Sequence, residues 1–333
     1  MSKRKLDSFF SPISERKKSR NDGPQMKAEG CLDSATDHSR HITYPFPIPF
    51  LPQDLQESLN GVPASDAREI NDQPDLDLLY FEPFIPPSCE HRLFAFLRQE
   101  LFFYRVKYKI KRGGFETDIN TPRFTTVFGV DTSARFTNSG ELVDSQTGKP
   151  AAPGRWNCVP RPLPQCLDHL KNLTEAFTGA TYNFCLVNYY ANGSDSISYH
   201  SDDERFLGPD PAIASFSLGA TRDFCMKHKP ALDKKSHNAQ DEKPAAAPPL
   251  KLPLGSGDMV LMRGKTQSNW LHSIPKRKGK GSEGGRINIT FRKGVKQYAT
   301  ENYMQYNVGD GCVYKWNSQH HEMKEWKPSR TSS

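Results

Sequence analysis

"RINITFR", residues 286–292, decides the fold. Successive side chains of a strand point to opposite faces, so Ile287, Ile289 and Phe291 share one face. The other face carries Arg286, Asn288, Thr290 and Arg292. One face is wholly apolar and the other wholly polar, with a cation at each end. Six residue steps at roughly 3.3 Å each place the two guanidinium-bearing positions about 20 Å apart. Long side chains can converge from such positions on opposite ends of one anion. Two buried cations with no partner would be costly, so this row faces either water or an anion.

Neighbouring segments suit the same pleated setting. "YNFCLVNYY" (182–190), "AIASFSL" (212–218), "RDFCMKHK" (222–229) and "GDMVLMRG" (257–264) all read as strands. "DLDLLYFEPFI" opens the folded part at about Asp75 as a strand entry. "CEHRLFAFLRQELFFY" has Leu93, Phe96, Leu97 and Leu101 at helical spacing, and the stripe reads as core. "LPQCLDHLKNLTEAF" (163–177) is a second amphipathic helix. "VKYKIKRGGFETDI" reads as two strands joined at Gly113-Gly114. Residues 131–155 read as a long loop. Two helices followed by many short strands predict an α+β fold, a double-sheet barrel with helices packed on one sheet.

Composition sets the limits. Across 333 residues, hydrophobic content is 35% and proline numbers 26, low and high respectively for a chain folded throughout. Residues 1–74 are therefore expected to be a disordered tail, 75–296 the folded domain with an exposed insert at 230–253, and 297–333 a C-terminal extension. No apolar run reaches the 18 residues of a membrane span, and the N-terminus lacks a secretory h-region. The seven cysteines show no CxxC spacing, which argues against a zinc knuckle or a disulfide framework and fits a reducing compartment. The net charge of +7 permits a polyanionic partner without requiring one.

The candidate chemistry begins at "YHSDDE". His200 and Asp202, at i and i+2 of extended chain, can reach one metal from the same side. His272, in "WLHSIP" after the "GDMVLM" strand, can complete a two-histidine, one-carboxylate face. That face leaves three positions open on Fe(II). An HxD pair alone is common; His320-His321-Glu322 is a decoy of the same kind without strand context. Here the pair is followed by His272 and then, fourteen residues later, by Arg286. Arginine forks bind carboxylates bidentately, and 2-oxoglutarate carries two. The polar row then faces a dianion rather than water.

In this order, HxD, a distal His and R-x-N-x-T-x-R resemble the AlkB family of iron and 2-oxoglutarate dioxygenases, nearest to the branch of its second homologue. "SLGATRDF", "RINITFRKG" and "NYYANG", which begins twelve residues before His200, carry the likeness over residues 75–294. The resemblance implies a double-stranded β-helix (jelly-roll) core. It also implies oxidative demethylation of N-alkylated bases in DNA, such as 1-methyladenine and 3-methylcytosine. The reaction consumes oxygen, decarboxylates 2-oxoglutarate and releases formaldehyde. His200, Asp202 and His272 would hold Fe(II). Asn188 and Tyr190 would hydrogen-bond 2-oxoglutarate, Arg286 would meet its distal carboxylate and Arg292 the carboxylate beside the metal. Asn288 and Thr290 would line the same pocket. Arg123, in "TPRFT", and Phe136, in "ARFTNSG", resemble family residues near the target nucleotide.

Asp203 and Glu204 could recognise a cationic methylated base. Such a base must leave the stack, and Phe115 at the "KRGGFE" turn is the candidate wedge. "KRKGK" (276–280) is placed for phosphates. In the tail, Lys3-Arg4-Lys5 and Arg16-Lys17-Lys18 with Arg20 resemble a bipartite nuclear import signal. Leu6, Phe9 and Phe10 between them resemble a sliding-clamp peptide, with Lys3 where Gln is usual. The expectation is a nuclear, monomeric DNA repair dioxygenase. Two alternatives stand beside it: the same chemistry on RNA or single-stranded DNA, and a catalytically dead, clamp-associated DNA-binding module.

Overall fold

The computed structural model describes residues 37–105, 107–112, 115–156, 158–229, 247–279, 284–295 and 311–328, with no side-chain description for 107–112 and 115–120. The strand Arg286–Arg292 lies inside a ten-stranded sheet, between the antiparallel strands Phe184–Tyr190 and Ile213–Gly219. All seven of its residues are buried. In spatial order the sheet runs Glu322–Glu325, Val313–Asn317, Phe103–Tyr104, Phe124–Gly129, Phe184–Tyr190, Arg286–Arg292, Ile213–Gly219, Met259–Met262, Leu78–Phe81 and Arg68–Ile70. A second sheet of four strands runs Ile197–His200, Trp270–Ile274, Arg222–His228 and Leu250–Leu254. This is the expected jelly-roll core.

Register explains the two faces of the central strand. Val187 and Phe216 pair across from Ile289, so the apolar face continues through three strands. Phe216 packs on Phe291 with ring centroids 6.1 Å apart. Helix Glu90–Glu100 approaches the end of this sheet: a Cβ on Gly219 would lie 2.7 Å from the Phe94 ring. The expected stripe is confirmed at Leu93, Leu97 and Leu101, with Phe94 more deeply buried than Phe96. Helix Gln165–Thr178 buries Cys166, Leu167 and Leu170 and ends on Gly179 at φ +66°, the left-handed cap that glycine adopts without strain. On the other face Asn188 and Ser217 flank Asn288, while Leu186 and Ser215 flank Thr290. The polar row looks into the space between the sheets.

Several expectations need correction. The folded unit starts at Asp37, not Asp75. Helix Gln53–Leu59 buries Leu55 and Leu59, and Ile48, Leu51, Val62 and Ile70 are buried around it. Gln165 pins this segment, its Oε1 accepting from Leu51 N at 2.9 Å. Frequent prolines keep these elements too short to show a period. Residues 131–155 contain a hairpin, Ala134–Phe136 with Leu142–Asp144, rather than loop throughout. The insert ends in the strand Leu250–Leu254, where Pro253 is tolerated because the strand is a sheet edge. The C-terminal extension supplies Val313–Asn317, which pairs with Phe103–Tyr104 and lays Trp316 over the Arg98 guanidinium at 4.0 Å. His320 and His321 sit at the turn of that hairpin and are exposed.

Among the described residues no helix is long and apolar enough to cross a membrane. The basic clusters and Leu6, Phe9 and Phe10 lie outside the described residues.

Candidate active site

The two histidines are neighbours because their strands pair. His200 is the direct cross-strand partner of His272, and their ring centroids are 4.3 Å apart. Asp202 follows where the chain leaves the strand. Its Oδ1 lies 3.8 Å from His200 Nε2 and its Oδ2 lies 3.7 Å from His272 Nε2. One ligand atom from each of the three residues lies within 4.8 Å of the others, and among the described residues this group alone has that property. Supporting bonds aim the ligands. His200 Nδ1 meets Ser198 O at 2.9 Å, which leaves Nε2 for a metal. Gln267 Oε1 accepts from Asp202 N at 2.9 Å.

Electrostatics prepare the cluster for a cation. Burial pushes His272 down from 6.5 to about 3, and His200 beside it adds to the effect. A neutral imidazole is the form that ligates a metal. Burial works to raise the Asp202 carboxyl, but Arg292 and the two histidines outweigh it and hold it below its ordinary value. The donor set, two imidazoles and one carboxylate, fits Fe(II) with open positions.

The polar row borders this cluster. Arg292 Nη2 lies 3.0 Å from Asp202 Oδ2 and Nη1 lies 3.4 Å from Glu204 Oε1. Arg286 sits at the far end, 1% exposed, with its guanidinium 5.3 Å from the Tyr190 ring centroid. Its Nη2 donates to Ser217 Oγ at 2.8 Å. Its Nε and Nη1 are buried with no hydrogen-bond partner among the described residues. Two orphaned donors on a buried cation fit a carboxylate. Asn288 donates to Ser215 Oγ at 2.9 Å and Phe216 O at 2.8 Å, and Thr290 donates to Leu186 O at 3.1 Å. These two residues line the cavity with their donors already committed to the sheet.

The cavity brings together Arg123, Asn188, Tyr190, His200, Asp202, His272, Arg286, Asn288, Thr290 and Arg292. Arg123 Nε donates to Asn188 Oδ1 at 3.1 Å, which ties the two together in the cavity lining. Four other candidates fall differently. Asp203 is exposed, with Lys229 Nζ at 2.9 Å, and does not line the cavity. Glu204 sits beside it, on Arg292. Phe136 packs on His41 at a centroid distance of 5.6 Å, where the 134–144 hairpin meets the N-terminal segment, and is not among the residues lining the cavity. Phe115 opens the strand Phe115–Asn120, opposite Arg112 of the antiparallel strand Lys107–Arg112.

Sequence reasoning missed the apolar wall of Leu186, Ile197, Phe224, Met262 and Ile274. Strand parity was the available signal, since Leu186 shares a face with Asn188 and Ile274 with His272. It also missed Arg222, 1% exposed, which donates to Asp195 O at 2.8 Å and Pro275 O at 2.7 Å. That residue joins two loops beside the cavity.

The sequence profile of the 2OG-Fe(II) oxygenase superfamily matches residues 77–292. A DNA oxidative demethylase ALKBH2 of Arabidopsis thaliana is 31% identical over 224 residues, 65% of this chain and 66% of the relative. The human alpha-ketoglutarate-dependent dioxygenase alkB homolog 3 is 43% identical over 123 residues, 37% of this chain and 40% of that one. The human DNA oxidative demethylase ALKBH2 is 39% identical over 134 residues, 40% of this chain and 48% of that one. The chain therefore spans between 40% and 66% of the length of these relatives.

Proposed function

The chain belongs to the 2OG-Fe(II) oxygenase superfamily, in its AlkB branch, and from that premise we propose that it is a dioxygenase that oxidatively removes N-alkyl groups from bases in DNA. One observation carries the reading. The His200–Asp202–His272 cluster adjoins a buried arginine row whose far member has orphaned donors.

His200, Asp202 and His272 would hold Fe(II). Arg292 and Arg286, at opposite ends of the row, would hold the two carboxylates of 2-oxoglutarate, with Tyr190 and Asn188 beside them. With both bound, the site supplies oxidation of an N-alkyl carbon by dioxygen, coupled to decarboxylation of the ketoacid. The protein contributes orientation and dryness. Ile197, Phe224, Met262 and Ile274 wall the cavity with apolar surface and limit the entry of water. A hydroxylated N-methyl group is an unstable hemiaminal, and it releases formaldehyde as the base is restored.

A methyl group on the Watson–Crick edge lies inside the base pair, so the base has to be extruded into the cavity. Arg123 in the cavity lining and the exposed Lys276, Arg277 and Lys278 supply cations for the backbone. 1-Methyladenine and 3-methylcytosine are the proposed lesions. The basic clusters near the N-terminus are proposed as a nuclear address, and Leu6, Phe9 and Phe10 as a clamp contact.

Mass spectrometry of matched oligonucleotides tests the reading. One methylated base is placed in DNA or RNA, single or double stranded, and incubated with Fe(II), 2-oxoglutarate and oxygen. Loss of the methyl from DNA with matching succinate is expected, and Asp202→Ala abolishes both. Preferential turnover of RNA moves the substrate. Retention of the methyl in all four oligonucleotides, with no succinate, leaves a non-catalytic DNA-binding module.

A further inference from the structure

Arg292 is 2% exposed and touches two carboxylates of its own chain. They are not equivalent. Asp202 belongs to the histidine cluster, whereas Glu204 does not. Glu204 lies on a short turn fixed to the strand that carries Arg292. Leu207 N donates to Glu204 O at 2.9 Å, and Val295 N, just past that strand, donates to Phe206 O at 2.8 Å. The Phe206 ring packs on Phe184 with centroids 5.6 Å apart, which anchors the turn in the core. The backbones of Glu204 and Arg292 therefore hold fixed relative positions. Contact between the two side chains, 3.4 Å from Arg292 Nη1 to Glu204 Oε1, then depends on the torsions of both.

We infer that Glu204 is a positioning residue that stands in on Arg292 for the carboxylate of the ketoacid and competes with it for the guanidinium. The physical argument is one of substitution. A buried guanidinium needs an anion close by, and Glu204 helps to supply one from within the chain. A co-substrate carboxylate arriving beside the metal cluster meets that like charge within reach of the same N–H groups. Its net affinity is the strength of the new pair less the cost of moving Glu204 aside. Glu204 thereby keeps the Arg292 fork oriented before the ketoacid binds, and lowers ketoacid affinity while doing so. The inference rests on the ketoacid part of the proposed function and is independent of which nucleic acid is the substrate.

Calorimetric titration of 2-oxoglutarate into the Mn(II)-loaded whole chain tests it, with Mn(II) affinity measured alongside. Glu204→Gln keeps the shape and removes the charge. Its Kd for 2-oxoglutarate is expected to fall by about 5- to 50-fold, within the usual range of coupling between neighbouring groups, with Mn(II) affinity unchanged. Glu204→Ala is expected to move in the same direction and decides the matter if the amide variant does not fold. General structural damage weakens binding, so a gain in affinity is a readout that a purely structural role does not produce. A change smaller than fivefold, or weaker binding by both variants, overturns the inference. If the wild-type chain restores methylated DNA and the variants bind the ketoacid as it does, only this inference falls. If neither wild type nor variants bind 2-oxoglutarate, the proposed function falls with it.

Discussion

Replacing Arg286 by methionine should strengthen the empty protein and weaken its grip on the ketoacid. The side chain is 1% exposed; its Nη2 donates to Ser217 Oγ at 2.8 Å, while its Nε and Nη1 have no hydrogen-bond partner among the described residues. Burial, offset in part by Tyr190 and reinforced by Arg222, brings the guanidinium down from 12.5 to about 10. At 1.36 kcal/mol per pKa unit, the field disfavours the charged form by about 3 kcal/mol. Methionine fills a similar volume without charge. It gives up one hydrogen bond, about 1 kcal/mol, for a net gain on the order of 1–2 kcal/mol. For a domain of this size that corresponds to a Tm higher by about 2–8 °C. Losing the fork on a carboxylate costs about 2–5 kcal/mol, so 2-oxoglutarate affinity should fall by about 30- to 5,000-fold. Scanning calorimetry of the ligand-free protein and titration of 2-oxoglutarate with Mn(II) present measure the two effects. If R286M melts below the wild type, or binds the ketoacid within about threefold of it, the orphaned donors have been misread.

His272→Ala removes one of three proposed ligands and should lower Mn(II) or Fe(II) affinity by about 100-fold or more in equilibrium dialysis, since losing even a supporting partner commonly costs 10- to 100-fold. Gly219→Ala introduces a Cβ 2.6 Å from Gly285 O at a φ of +89°, and should cost about 2 kcal/mol or more in urea unfolding. Asp144 is held down from 3.8 to about 2, chiefly by the Thr147 N–H and then by Arg155 at 2.9 Å. A depressed carboxyl stabilises the fold above its unfolded value and loses that contribution as pH drops towards 2. Asp144→Asn should therefore flatten the acid limb of the stability profile between about pH 4 and 2, and an unchanged slope there speaks against the Asp144 contacts.

Alternation alone determined that residues 286–292 form a strand with one apolar and one polar face, because side-chain parity is a local property of extended chain. It likewise placed His200 and Asp202 where one metal can take both. The family motifs added Asn188, Tyr190 and Arg123, which the structure also places in the cavity. Only the tertiary structure decided which neighbours those faces meet. His200 and His272 are 72 positions apart in sequence and become cross-strand partners through a pairing that no local period encodes. Phe136 shows the converse, since an aromatic inside a recognisable motif packed instead against His41 of a segment that sequence reading had assigned to a tail. The strands at 68–70 and 313–317 were missed for the same reason. Each is short, and its apolar residues are buried or half-buried only because a sheet edge built elsewhere is there to receive them. Which way a side chain points follows from the backbone next to it, but what it touches depends on distant chain, and that dependence put Glu204 on Arg292.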